Sequence, residues 1–87
     1  MNRTDILRTA QQYITQDRAS THGEAENNFN VIAELWSCYL NVPITEDDFA
    51  ALMILMKLGR IKSNPTHADN WIDICGYSAI GGELSVK

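Results

Sequence analysis

The densest chemistry in this chain lies over residues 57–77. Lys57 and Arg60 stand about one helical turn apart, and after a short polar break Asp69 and Asp73 do the same. His67 lies just ahead of the two acids, and Gly76-Tyr77 follows them. Only 21% of the residues are charged, so a cluster this tight is either a structural ion-pair network or a site. Carboxylates at i and i+4 share a helix face and could hold a divalent cation, which takes oxygen ligands and bridges phosphates. Lys57, Arg60 and His67 could instead hold phosphate directly, Arg60 through a two-pronged guanidinium. Gly76 removes a side chain beside Asp73, which permits a close helix contact or leaves room for a ribose or base. A second group lies upstream, at His22-Gly23 and Asn28-Phe29. His22 could titrate near neutral pH or contact phosphate. The plainer alternative is a surface loop histidine, with Asn28 finishing a helix cap. No nucleophile–base arrangement, glycine-rich phosphate loop or zinc-type Cys/His spacing occurs in the chain.

Apolar spacing places these residues on helices. A first helix starts at Thr4 as N-cap, with Ile6, Leu7, Ala10, Tyr13 and Ile14 as its stripe, and fades by Arg18. Gly23 marks a loop. A second helix covers 24–40 and buries Phe29, Ile32, Ala33, Trp36, Tyr39 and Leu40. Thr45 and Asp48 form a capping box that opens a third helix. That helix is apolar all round. Phe49, Leu52, Met53 and Met56 make one stripe, while Ile54, Leu55, Leu58 and Ile61 take the other side. So short a chain has too few elements to surround such a helix, which predicts a homo-oligomer formed through it. Residues 63–66 break the chain. A fourth helix from His67 or Ala68 buries Trp71, Ile72, Cys75 and Ala79 and weakens at Gly81-Gly82.

The fold class is therefore all-α, a small bundle of about four helices, mostly antiparallel. At 100° per residue Arg60 falls in the middle of the Phe49–Met53–Met56 stripe and Lys57 on its edge. Asp69, Asp73 and Gly76 fall on one flank of the fourth helix. The six residues between Arg60 and His67 make the last two helices a hairpin, so the bases can face the acids near its closed end. Tyr77 lies off the apolar stripe, with its ring open to a ligand or a neighbouring subunit.

The 87 residues read as one domain, 1–87. A net charge of −4 argues against a nucleic-acid polymer as partner, which would select a basic face. Cys38 and Cys75 occupy apolar helical positions, and no signal peptide is evident; the expectation is two buried, reduced thiols in a cytoplasmic protein. No apolar run reaches the ~20 residues needed to span a bilayer.

The residues His22-Gly23, Asn28-Phe29, the segment 32–40, the segment 53–61 and the string His67-x-Asp69-x-x-x-Asp73-x-x-Gly76-Tyr77 resemble a family of small phage and prophage helical proteins over about residues 21–84. More distantly, Asp-x-x-x-Asp-x-x-Gly-Tyr resembles the last catalytic helix of MazG-type all-α nucleotide pyrophosphohydrolases and of phage nucleotide-modification domains. Those enzymes hold Mg²⁺ between two carboxylate pairs on two helices. The likeness maps the second pair onto Asp69 and Asp73, at a different spacing. The first pair is missing, and Lys57 and Arg60 stand where its acids are expected.

Three functions follow. In size and helical character the chain resembles phage proteins that sequester cyclic-nucleotide signals of bacterial antiviral defence. That reading gives a nucleotide binder without cofactor or catalytic residues, whose ligand residues are His22, Asn28, Lys57, Arg60, His67, Asp69, Asp73 and Tyr77. The alternative is a MazG-like hydrolase using Mg²⁺ on Asp69 and Asp73, its site completed by Glu24, Glu26 or Glu34 of a neighbouring subunit. The third is a module whose apolar helix binds a host protein.

Overall fold

The computed structural model describes residues 1–17 and 25–86, and among them it contains four α-helices and no strand. Helix α1 spans Arg3–Gln12 and runs on into a π-helical turn, Tyr13–Asp17; α2 spans Ala25–Leu40, α3 Glu46–Ser63 and α4 Ala68–Ser85. The loop carrying His22 and Gly23 lies outside the described residues.

Helix starts are set by reciprocal caps. At α1 the Asn2 side chain accepts from the Asp5 amide at 2.8 Å, and the Asp5 carboxylate accepts from the Asn2 amide at 3.1 Å. The cap is thus Asn2 rather than Thr4, because Asn2 has the acid three residues on that closes the box. At α3 the expected Thr45–Asp48 box forms, with amide contacts of 3.0 and 3.2 Å. Glu46, Asp47 and Asp48 in its first turn, and Arg60 and Lys62 in its last, match the helix dipole. Between α2 and α3, Asn41 takes a left-handed conformation (φ 59°) that asparagine tolerates better than most residues. Ser37 then ties the connection down. Its hydroxyl accepts from the Ile44 amide at 2.8 Å and lies within donating distance of the Ala33 and Ile44 carbonyls.

Helices α3 and α4 form the expected antiparallel hairpin: Lys57 meets Asp73, and Ala50 lies against Gly81. A Cβ added at Gly81 would fall 2.7 Å from the Ala50 Cβ, so the glycine is what lets the two helices close. On another side of α4, Gly76 receives α1, where an added Cβ would stand 3.1 Å from Ile14. Helix α4 therefore does not weaken at Gly81-Gly82; packing carries it on to Ser85. The core gathers Phe29, Ala33, Phe49 and Ala50, with Ile32, Trp36, Met53, Tyr77 and Ile80 against it. Phe49 is its hub, edge-on to Phe29 at 4.6 Å and to Trp36 at 5.2 Å between ring centroids.

Several burial expectations are corrected. Tyr39 is 88% exposed and Leu40 is also outside, since the last turn of α2 overruns its neighbours. Trp71 and Ala79 face solvent, because α4 turns Ile72, Gly76 and Ile80 inward instead. Cys38 is exposed and Cys75 half-buried; both are free thiols. Among the described residues no helix is long and apolar enough to cross a membrane.

Candidate functional site

Lys57 and Asp73 form an ion pair of 2.8 Å between α3 and α4, with side chains only 14% and 13% exposed. Lys57, expected at the edge of a stripe, sits at the centre of the inward arc of α3, among the buried or half-buried Ala50, Met53, Ile54 and Ile61. Arg60, expected at the centre, is exposed. The correction has a physical cause. A helix apolar all round leaves its inward direction undetermined by hydrophobicity, and here the small pair Ala50–Gly81 brings α4 closest and fixes the rotation. Asp73, placed on a flank by the sequence, faces inward on the same account.

At the closed end of the hairpin His67 is the N-cap residue of α4, but its imidazole makes no capping bond. It lies 3.8 Å from the Asp69 carboxylate, and both side chains are more than half exposed. Arg60 makes no ion pair or side-chain hydrogen bond with any described residue, so its guanidinium offers its full set of donors to solvent. The hairpin thus holds five of the expected residues: Lys57 bound to Asp73, His67 near Asp69, and Arg60 without a partner among the described residues.

The others lie elsewhere. Tyr77 is corrected from an available ring to a core residue, 6.1 Å from Phe29 and 6.3 Å from Phe49 between ring centroids. Gly76 leaves no space for a ribose or base, because Ile14 fills the place its side chain would take. Asn28 is half-buried on α2. His22 lies outside the described residues.

Trp71, expected in the core, is instead at the surface. It is 46% exposed, yet its indole N–H donates to the Pro65 carbonyl at 3.0 Å, which anchors the ring against the connection. An oriented, half-open aromatic face is a stacking platform for a planar ligand. The only cue in the sequence is a tryptophan six residues after a proline, which does not separate core from surface.

A groove of about 290 Å³ lies between α2, the start of α3 and Leu84, lined also by Asn30, Glu34, Thr45, Glu46 and Asp47. Its three carboxylates make it repel phosphate. The Thr45 hydroxyl donates to Asp47 at 2.7 Å and holds that carboxyl below its ordinary range. No three His, Cys, Asp or Glu side chains among the described residues come together as a metal site. Of the expected Asp69/Asp73 pair, Asp73 is held by Lys57, and Asp69 is more than half exposed and lies beside His67.

Over residues 5–85 the sequence matches the family described as a domain of unknown function, DUF6378. It is 41% identical over 76 residues to the "Gene 55 protein" of Mycobacterium phage L5, covering 86% of this chain and 49% of that protein. To the "Gene 55 protein" of Mycobacterium phage D29 it is 42% identical over 73 residues, covering 84% of this chain and 48% of the relative. The chain thus spans about half the length of the curated relatives it matches. No solved structure matches it.

Proposed function

This chain belongs to the DUF6378 family, which has members in mycobacteriophages, and from its hairpin end we propose that it binds a nucleotide by its phosphates without hydrolysing it. The single observation behind this reading is Arg60: an exposed guanidinium with no partner among the described residues, one turn beyond the Lys57–Asp73 ion pair. Free guanidinium donors match phosphate oxygens in a way an already paired lysine cannot. Lys57 and Asp73 then serve as the rigid base of the site. His67 adds an imidazole donor at the start of α4, and Trp71 offers a face for the nucleobase. The ligand class comes from the resemblance to MazG-type domains. The biological use, capture of a nucleotide signal of bacterial antiviral defence, comes from the resemblance to phage sequestering proteins and fits a family with phage members. Hydrolysis is not part of the proposal, because the resemblance to MazG-type domains reaches only one of their two carboxylate pairs.

Calorimetry and thermal shift against mononucleotides, cyclic dinucleotides and cyclic ADP-ribose isomers, with and without Mg²⁺, test the reading. A ligand at 100 times its dissociation constant stabilises the fold by ~2.7 kcal/mol, and it is expected back intact after denaturation. Arg60→Ala is expected to abolish binding while leaving the unliganded melting temperature unchanged; Tyr77→Phe is expected to bind like the parent. No binding across the panel, cleaved ligand, or full binding by Arg60→Ala overturns the proposal.

A further inference from the structure

Helix α3 presents to solvent a second apolar face, opposite the one packed on α4. Leu55 is its midpoint and is 61% exposed. One turn to either side stand Leu52 and Leu58, also exposed, together with the exposed small residues Ala51 and Gly59. Two turns to either side, the face ends in Asp48 and Lys62. All of these lie within about 60° of Leu55 around the helix axis. The order is symmetric in size and opposite in charge about Leu55: acid, small, leucine, leucine, leucine, small, base.

We propose that this face is the interface of a two-fold dimer in which α3 packs antiparallel on α3 of a second copy, with the axis passing at Leu55. An antiparallel register centred there sets Leu52 against Leu58 of the second copy, and Ala51 against its Gly59. The small pair allows the backbones to approach, since nothing lies within 4 Å of where a Gly59 side chain would begin. The same register brings Asp48 opposite Lys62 of the second copy at both ends. Exposed pairs of this kind add little energy but fix orientation and partner. Asp48 keeps one oxygen on the Thr45 amide and has the other to offer. A two-fold interface must be self-complementary, and this face is.

The other exposed apolar face, Val31, Leu35 and Tyr39 on α2, lies on a helix without a single base, so no register gives it an acid–base pair across a two-fold axis. The dimer is independent of the nucleotide reading.

Sedimentation equilibrium over a concentration series tests it. The parent chain is expected at twice its 9.8 kDa mass. Leu55→Glu is expected to weaken association roughly thirtyfold or more, the loss typical of a central interface residue. Lys62→Glu is expected to weaken it less, and more visibly at low salt than at high. In a chain with Cys38→Ser and Cys75→Ser, Leu55→Cys is expected to form an interchain disulfide on oxidation, because the axis stacks residue 55 on its own copy. Leu7→Cys, equally exposed on α1, serves as the control that should not cross-link. A monomer at every concentration, a Leu55→Glu chain that associates like the parent, or cross-linking no better at 55 than at 7 overturns the proposal.

Discussion

Lys57 threads its four-carbon stem between two helices and ends on Asp73, with little water left around either charge. Removing one partner of such a pair takes a counter-charge away from the other, which costs more than the intact pair contributes. Lys57→Met keeps the stem and deletes the charge. It is expected to destabilise the fold by about 2 kcal/mol, less than a fully buried pair would cost because each side chain keeps some contact with solvent. Chemical denaturation checks this, and the double variant Lys57→Met/Asp73→Leu should recover much of the loss. Asp47 differs in kind. Its carboxyl is held below the ordinary range by the Thr45 hydroxyl, on the surface rather than inside. A carboxyl whose pKa is lower folded than unfolded stabilises fully above the unfolded value, near 3.9, and loses that contribution as pH falls through the folded one. Melting curves of Asp47→Asn and the parent are therefore expected to differ at neutral pH and to converge in acid.

The same contrast decides what the sequence disclosed about the elements. Caps are local, so Thr45-x-x-Asp48 announced the start of α3, and the break at residues 63–66 announced the hairpin. With both in hand, the bases of the 57–60 pair could face the acids of the 69–73 pair, and the structure joins Lys57 to Asp73. Which base it would be was not legible. The rotation of α3 is set by Ala50 meeting Gly81, and neither residue stands out in a hydrophobic pattern. Trp71 escaped for a related reason, since a backbone carbonyl across the connection fixes it and no periodicity reports that. The glycines of α4 test the packing directly. Gly81→Ala puts a Cβ 2.7 Å from that of Ala50, where neither group can swing away. It is expected to cost roughly 1–3 kcal/mol despite the better helix propensity of alanine. Gly82→Ala meets nothing within 4 Å and is expected to gain about 0.5–1 kcal/mol. Thermal melts of these neighbouring variants should move in opposite directions.

At the scale of the whole molecule, two faces of α3 divide the work. One builds the core and holds Lys57; the other, through Leu52, Leu55 and Leu58, remains open in the single chain. A domain this small has little core to spare, so association through the open face would carry part of the stability of each protomer. Melting should then depend on protein concentration, because unfolding a dimer releases two chains. For a domain of this size a tenfold increase in concentration is expected to raise Tm by about 3–5 °C. Leu55→Glu should depend far less on concentration over the same series, and melt lower than the parent at high concentration. A nucleotide bound at the hairpin end raises Tm by a different route, set by ligand concentration rather than protein concentration. If Arg60→Ala removes the ligand response and keeps the concentration response, while Leu55→Glu does the reverse, site and interface are separate properties of one helix. Loss of both responses in either variant would mean that the nucleotide is held only by the assembled pair.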